Sequence, residues 1–296
     1  MDMIRRSVIV NTDAKNECDD QFAIVQALLS PSFDVRGLIA AHFGNHRSNR
    51  SMLDSRAEID LLVDLLGMNG RVRVANGAER AIPDEKTPQD SEGARLIIEE
   101  SVKTTPESPL YVAFLGPLTD MASAILLEPE IVDRPVVVVW IGGQGYDGIG
   151  DSKAMEFNLS NDIASANVVF DSGIEIWQVP SNVYSQMSVG YAELDNEVAP
   201  HGELGRYLAQ QVKDFNETVV KEPIESRSLG DSPAIGLMLY PRGGTFRVRP
   251  SARFDTAGQY VEGAGHPVRV FETVDARFIL ADLFAKLRRF AQEHSN

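Results

Sequence analysis

Residues 11–20 combine side chains that could do chemistry together. The run reads Asn-Thr-Asp-Ala-Lys-Asn-Glu-Cys-Asp-Asp, and it holds two amides and four acids, namely Asp13, Glu17, Asp19 and Asp20. Carboxylates crowded this closely repel one another unless a cation gathers their oxygens. Because all of these ligands are oxygens, the pattern indicates a hard ion such as calcium or magnesium.

A simpler explanation for some of these acids is helix capping. A helical pattern begins at about residue 20, and Asp19 or Asp20 could cap it and favour its positive end. Capping accounts for one acid, or for two, but not for Asp13 and Glu17 as well. The residues alone therefore leave both a metal site and a capped helix open.

The elements that must position this run alternate along the chain. Short apolar runs predict strands at 7–11, 35–42, 71–77, 110–116, 135–143 and 174–179. Apolar residues at helical spacing predict helices at 20–30, 51–67, 92–101, 118–127 and 161–171. This alternation predicts an α/β fold whose mostly parallel sheet is flanked by helices on both faces. Ligands bind such sheets beyond the carboxyl ends of the strands, where the acidic run lies.

The last third of the chain is less regular. Helices are predicted at 205–220, 231–240 and 275–294, and late strands at 246–250 and 267–274, which suggest a small antiparallel β addition. The polar segment 221–228 could be a mobile lid or an ordinary solvated loop. We find no linker and no internal repeat, so residues 1–296 are interpreted as a single domain.

Composition narrows the class of partner and the compartment. The 296 residues carry a formal net charge of -15, which disfavours nucleic acid because phosphate backbones are also negative. The one cysteine, Cys18, suits a reducing compartment. The apolar run near the N-terminus is too short for a signal peptide, and no stretch approaches the roughly 20 apolar residues of a membrane span. We therefore expect a cytoplasmic protein without a membrane partner.

Six motifs in order resemble the inosine-uridine preferring nucleoside hydrolases. The acidic run is similar to the family's N-terminal signature, an apolar strand leading into Asp-x-Asp, a turn and Asp-Asp. Residues 116–120, Gly-Pro-Leu-Thr-Asp, are very close to its Gly-Pro-Leu-Thr-Asn turn. The other motifs are residues 37–45, ending in Asn45, residues 75–78, the pair Gly142-Gly143 with Glu156-Phe157-Asn158, and residues 230–233.

The resemblance implies a function and a set of roles. The fold would be that of the nucleoside hydrolases, and the reaction would be calcium-dependent hydrolysis of the N-glycosidic bond of a ribonucleoside, giving ribose and free base. By position, Asp13, Asp20, Asp231 and the main-chain carbonyl of Leu115 match the calcium ligands, and Asp13 also matches the base. The residues that match the partners of the sugar hydroxyls are Asp19, Asn45, Glu156 and Asn158. Family members are commonly dimers or tetramers, so a homo-oligomer is expected.

This chain departs from the family pattern in four places. Asn11 replaces the first aspartate of the signature, and the turn after Asp13 is longer, carrying Lys15, Asn16 and Glu17. Gly230 stands where many members have the histidine that protonates the leaving base. The histidine-bearing loop after the third strand is also absent, with residues 87–93 in that region. Leaving-group activation must therefore differ from the common form.

Other residues are candidates for the base pocket. His42, Tyr146 and Tyr184 follow predicted strands and could contact the base, and these three together with His46 could supply a proton. The absence of a histidine at Gly230 leaves a second function open, a non-catalytic nucleoside- or ribose-binding protein on the same scaffold. A metal-dependent phosphohydrolase is a third, but no convincing phosphate-binding loop supports it.

Overall fold

The β-branched runs of the chain form strands at the centre of one large sheet. The computed structural model describes residues 5–149 and 154–294, so the first four residues of the N-terminal segment discussed above lie outside the described residues. The strands are β1 (Arg6–Thr12), β2 (Phe33–Ala40), β3 (Val74–Asn76), β4 (Leu110–Phe114), β5 (Val136–Ile141), β6 (Glu175–Val179), β7 (Ser188–Gly190), β8 (Ser226–Ser228), β9 (Gly244–Phe254) and β10 (Tyr260–Val274).

Helices connect these strands and cover them. They are α1 (Asp20–Leu28), α2 (Ser51–Leu65), α3 (Glu92–Ser101), α4 (Thr119–Leu127), α5 (Phe157–Asn161), α6 (Ile163–Asp171), α7 (Ser181–Tyr184), α8 (Tyr191–Glu197), α9 (Gly202–Val219), α10 (Ser232–Leu239) and α11 (Ala276–His294). Among the described residues, no helix is both long enough and apolar enough to cross a membrane.

The main sheet has eight strands in the order β3-β2-β1-β4-β5-β6-β10-β9. Strands β1 to β6 run parallel to their neighbours. Both faces of the sheet are buried, because Val8 and Val10 of β1 pack into one apolar cluster while Ile9 between them packs into the other. Alternate residues of a strand point to opposite faces, so this division requires helices on both sides. The predicted mostly parallel sheet flanked by helices is confirmed.

The late strands form the antiparallel addition that the sequence suggested, and this addition is joined to the main sheet. Strand β10 pairs in parallel with β6, and β9 pairs with β10 as an antiparallel edge strand, so this hairpin extends the main sheet. A separate two-stranded sheet of β7 and β8 was not predicted. Three-residue strands are too short to produce a readable alternation of polar and apolar side chains. Residues 226–228, part of the segment interpreted as a lid or loop, belong to this second sheet.

The strand order reverses between β1 and β4, which are direct neighbours at the centre of the sheet. The connections that follow two such strands diverge to opposite sides of the sheet and leave a crevice between them. Open α/β sheets bind ligands in this crevice, beyond the carboxyl ends of the strands. The acidic run follows β1 and Leu115 follows β4, so both lie at this crevice. The fold therefore brings the acidic run to a binding position.

A buried hydrogen bond joins the end of β1 to the start of α4. The Asn11 Nδ2 atom donates to Asp120 Oδ2 at 2.8 Å. The other oxygen, Asp120 Oδ1, accepts the main-chain N–H of Ala78 at 2.9 Å and the hydroxyl of Ser91 at 2.5 Å. The family pattern has aspartate at position 11 and asparagine at position 120, so this chain carries the same two residue types in exchanged positions. In this chain the amide is on β1 and the carboxylate is on α4.

We predict that the single substitution Asn11→Asp destabilises the fold by about 3–5 kcal/mol, because it sets two buried carboxylates against each other. Asp120→Asn alone should cost about 1–3 kcal/mol through the lost charged acceptor. The double variant N11D/D120N restores the pair and should unfold within about 1 kcal/mol of the wild type. Urea unfolding followed by circular dichroism measures these differences.

The matched control is Asn49→Asp at an exposed position, which should change the free energy of unfolding by less than about 0.5 kcal/mol. Simple addition of the two single-variant costs in the double variant would contradict the exchanged-pair interpretation.

Candidate active site

An acidic cavity of about 190 Å³ opens at the crevice between β1 and β4. Segments that follow β1, β4, β5 and β6 contribute to its wall, together with the start of α10. The lining residues are Asp13, Asn16, Glu17, Asp19, Asp20, Leu115, Ile141, Glu156, Phe157, Asn158, Tyr184, Gly230 and Asp231. Seven of the eight residues that the family resemblance assigned are therefore in one cavity, and Asn45 is the exception.

Three of the acids lie close enough to share one ion. Asp19, Asp20 and Asp231 each offer a carboxylate oxygen within 4.8 Å of the others. Asp19 and Asp231 occupy the N-cap positions of α1 and α10, but neither side chain accepts a capping hydrogen bond. Capping thus does not account for these carboxylates, and their oxygens face the cavity instead.

Asp13 is buried beside this trio and carries an unused acceptor. Its Oδ2 atom has no hydrogen-bond partner among the described residues. Gly116 allows the approach, since a Cβ at that position would lie 2.9 Å from Asp13 Cγ. Burial, and next the negative charge of Asp20, raise the pKa of Asp13 well above its ordinary value.

Hydrogen bonds to these carboxyl groups offset only part of the cost of burying them. The Thr12 hydroxyl donates to Asp20 Oδ1 at 2.5 Å, and Asp20 and Asp231 share a hydrogen bond. Burial nevertheless raises the pKa of Asp20 to about 7 and that of Asp231 well above its usual range. Buried acids in such a group require either protons or a cation.

The main-chain carbonyl of Leu115 is held in a fixed direction. The Asn158 Nδ2 atom donates to it at 2.7 Å and to the Ile141 carbonyl at 2.9 Å. A carbonyl oxygen has two lone pairs, so one remains for a ligand in the cavity. Asn158 was expected to contact the sugar directly, and in the structure its amide group orients this carbonyl.

The longer turn after Asp13 is tied to the body of the protein by three cations. Lys15 pairs with the buried Glu58 at 2.8 Å. Arg47 donates to the Asn16 Oδ1 atom at 2.6 Å, and Arg227 of β8 donates to Glu17. Asn16 and Glu17 line the cavity, so the inserted residues do shape its rim.

Asn45 lies apart from the acids. It is exposed and lines a neighbouring cavity of about 550 Å³ together with His42 and His46. The loop after β2 turns away from β1 beyond Ala41, whose N–H donates to the Thr12 carbonyl at 2.8 Å. The structure therefore does not bring Asn45 to the acidic cavity.

His42 is buried and has a partner at each ring nitrogen. Its Nδ1 atom accepts the N–H of Gly44 at 3.2 Å, so in the neutral ring Nε2 carries the proton, 2.8 Å from Thr119 Oγ1. The Thr119 hydroxyl donates onward to Asp162 Oδ2 at 2.7 Å. Burial lowers the pKa of His42 to about 4. This histidine has no free proton to give at neutral pH.

The two candidate tyrosines have different surroundings. Tyr146 stacks on Tyr260 with ring centroids 4.0 Å apart, and its hydroxyl donates to Gln178 Oε1 at 3.0 Å. It does not line the acidic cavity. Tyr184 does line that cavity, beside Gly230, and its hydroxyl donates to Glu156 Oε1 at 2.9 Å.

Sequence reasoning missed three residues at the site. Thr12 binds Asp20, Phe157 forms part of the wall, and Arg47 holds the rim while its guanidinium lies 5.2 Å from the Phe157 ring. Thr12 lies within the signature and could have been examined as a donor. Nothing in the sequence around Arg47 indicates its role, because its partner Asn16 is remote in sequence.

Known proteins with similar sequences carry nucleosidase names. "Probable uridine nucleosidase 2" of Arabidopsis thaliana is 29% identical over 225 residues, which cover 70% of this chain and 68% of that protein. "Pyrimidine-specific ribonucleoside hydrolase RihA" of Citrobacter koseri is 25% identical over 269 residues, covering 83% of each.

A similar solved structure is the "Purine-Preferring Ribonucleoside Hydrolase from Gardnerella vaginalis", with a TM-score of 0.78 and 21% identity over 97% of this chain and 100% of that one. At this identity the likeness establishes the fold. The sequence model for "Inosine-uridine preferring nucleoside hydrolase" matches residues 8–281, nearly the whole chain. The cluster of buried acids at the strand ends can hold a metal ion, as the metal dependence of these enzymes requires. The chain thus belongs to the inosine-uridine preferring nucleoside hydrolase family.

Proposed function

We propose that this protein hydrolyses the N-glycosidic bond of a ribonucleoside or related N-riboside in a calcium-dependent reaction, giving ribose and free base. The observation that carries the proposal is the convergence of Asp13, Asp20 and Asp231, from two segments that are distant in sequence, in one acidic cavity. The names of the relatives, a uridine nucleosidase and a ribonucleoside hydrolase, support the same reaction.

The donor set fits calcium. Asp13, Asp20, Asp231 and the Leu115 carbonyl would hold the ion, and all of these donors are oxygens, which calcium prefers. The unpartnered Asp13 Oδ2 atom is a vacant acceptor in a buried place, where an unsatisfied charge is costly. Asp19, within reach of the same point, is either a further ligand or a partner for a sugar hydroxyl.

The chain's own residues can then carry the reaction. Bound calcium would supply a positive charge that makes a nearby water molecule more acidic and that attracts the sugar diol. Asp13 would accept a proton from this water while the water oxygen bonds to the anomeric carbon of the sugar. The carbon–nitrogen bond breaks, its electron pair goes to the base nitrogen, and this nitrogen takes up a proton from solvent water. Ionised Asp19 and Asp231 would stabilise the positive charge that develops on the sugar.

The non-catalytic alternative has an observation in its favour. Of the four candidate donors, His42 is neutral with both nitrogens engaged, and neither His46 nor Tyr146 lines the acidic cavity. Tyr184 lines it, but its proton is committed to Glu156. A nucleoside-binding protein without turnover would need no donor.

Product analysis tests the proposal. Purified protein is incubated with ribonucleosides of each common base and with their 2′-deoxy counterparts, with calcium or with excess chelator. We expect free base and ribose from at least one ribonucleoside in calcium only, and weaker activity on its deoxy counterpart. Binding of nucleosides without any product would favour the non-catalytic alternative instead.

The site carboxylates predict how pH affects stabilisation by calcium. Because the pKa of Asp20 is raised to about 7, and those of Asp13 and Asp231 are also raised, the folded ion-free protein binds more protons than the unfolded chain. Its stability should therefore fall as pH rises from the unfolded pKa of about 4 towards 7. Calcium replaces these protons, so it should stabilise more at about pH 7.5 than at about pH 5.

Thermal unfolding with chelator or calcium measures this effect, and about 2.7 kcal/mol is expected at a hundredfold excess over Kd. Asp231→Asn, which removes a ligand, should abolish most of the increment. An increment of equal size at both pH values would show that calcium does not bind at these acids.

Asp13→Asn should remove turnover more than folding, because this residue combines ion binding with proton acceptance. We expect kcat to fall by about 10²–10⁴ while the variant still folds. Asp133→Asn, the same substitution at an exposed position, is the matched control and should keep normal kinetics. Wild-type turnover by a folded Asp13→Asn variant would contradict the role assigned to Asp13.

The leaving group provides a further prediction. With glycine at position 230, the base receives no histidine proton, so inosine and uridine should react slowly. A riboside with an activated leaving group, p-nitrophenyl riboside, needs no such proton and should react faster by about 10²–10⁴. Parallel measurement of kcat/KM under one condition decides the matter. Efficient cleavage of inosine with no gain from the activated substrate would reveal a donor, which alanine variants of the four candidates would then locate.

We also propose a reducing, cytoplasmic location and a dimeric or tetrameric assembly. The location is supported by the single cysteine, which is buried as a free thiol. Size-exclusion chromatography with light scattering tests the assembly.

A further inference from the structure

The carboxylate of Glu156 has no acceptor site left for a substrate. Its Oε1 atom accepts the main-chain N–H of Asn158 at 3.1 Å and the hydroxyl of Tyr184 at 2.9 Å. Its Oε2 atom accepts the N–H groups of Gly143 at 2.8 Å and Leu159 at 2.9 Å. An ionised carboxylate has about four acceptor positions, and here all of them are filled.

Tyr184 stands next to this carboxylate in the wall of the acidic cavity, and its ring packs against Gly230. A Cβ at position 230 would lie 3.0 Å from Tyr184 Cδ2 and 3.2 Å from Asp19 Oδ2. Any larger residue at 230 would therefore press on the ring and on the Asp19 carboxylate, which would have to move by a few tenths of an ångström. Glycine at this position is what gives the Tyr184 ring its room.

The phenol of Tyr184 can still receive a hydrogen bond. Burial, and next the charge of Glu156, raise its pKa, so the group stays neutral. Its own proton goes to Glu156, which leaves the lone pairs of the phenol oxygen free. A hydroxyl group of a ligand in the cavity could donate to this oxygen.

We propose that Tyr184 is a specificity-determining residue, whose phenol oxygen accepts a hydrogen bond from one sugar hydroxyl in the place of the saturated Glu156. Gly230 is the second half of this arrangement, because it admits the ring. This inference rests on the proposed nucleoside substrate. It also gives Gly230 a function other than the loss of a proton donor.

A binding cycle between protein and ligand tests the contact. Calcium-loaded wild type and Tyr184→Phe are titrated by calorimetry with uridine or inosine, whichever binds more tightly, and with its 2′-, 3′- and 5′-deoxy analogues. Tyr184→Phe keeps the ring, so the wall stays filled. We expect the variant to bind the parent about 2- to 13-fold more weakly, the range for one neutral hydrogen bond. One of the three analogues should bind both proteins equally well, which identifies the hydroxyl.

A uniform loss of affinity for the parent and all three analogues would overturn the proposal, because no single hydroxyl would then depend on the phenol. Turnover by the wild type is measured in parallel. If one analogue binds both proteins equally well but the wild type shows no turnover, Tyr184 keeps its proposed role and the hydrolytic function fails. Turnover together with a uniform loss of affinity would support hydrolysis and overturn the Tyr184 contact. Absence of any nucleoside binding would overturn both proposals.

The Gly230 half is tested by Gly230→Ala in two backgrounds. In the wild type the added methyl group should displace the ring and weaken binding of the parent by the same factor as Tyr184→Phe, or by more. In a Tyr184→Ala background the same substitution should change the affinity less than twofold. The calcium affinity of each variant is the control for Asp19, which also adjoins position 230. Unchanged nucleoside binding by Gly230→Ala alone would contradict the arrangement.

Discussion

Repulsion among buried carboxylates is the constraint around which the site is built. Asp13, Asp19, Asp20 and Asp231 come from the loop after β1 and from the start of α10, more than two hundred residues later in the chain. Burial raises the pKa of each of them. The apolar core on both faces of the sheet must therefore provide the stability that holds these charges together. Such an arrangement is kept where the surrounding structure supplies the stability and the acids have a function.

How far the sequence predicts this structure depends on the range of the interactions. Strand β5 is a continuous apolar run, β-branched except at Trp140 and buried at every position, and its pattern is unambiguous. The acids were predicted to converge because the family resemblance assigns Asp13, Asp20 and Asp231 to one calcium site. Asn45 illustrates the limit, since its loop follows a correctly predicted strand and then turns into another cavity. Loop paths depend on contacts between remote residues, and a single sequence does not display them.

The individual roles of site residues were harder to predict than their positions. Glu156 and Asn158 lie in the cavity as expected, but main-chain groups and the Tyr184 hydroxyl occupy the Glu156 carboxylate, and two carbonyls occupy the Asn158 amide nitrogen. Side-chain identity shows which hydrogen bonds a residue can make, and only the packed structure shows which remain for a substrate. The same holds for Asn11 and Gly230. Each is a departure from the family when considered alone, and each has a partner, Asp120 or Tyr184, that fits the change.

The tether between Glu17 and Arg227 has a consequence for ion selectivity. Glu17 lies between Asp13 and Asp20 in sequence, and Arg227 precedes Asp231 by four residues, so their ion pair links the two segments that carry the acids. The rim is thus preorganised by protein contacts, and little ordering entropy is left for an ion to overcome. For the calcium site proposed above, such linked segments would contract less readily around a smaller ion. Discrimination against magnesium, which demands shorter and strictly octahedral contacts, would then depend on the linkage of the rim as well as on its charge.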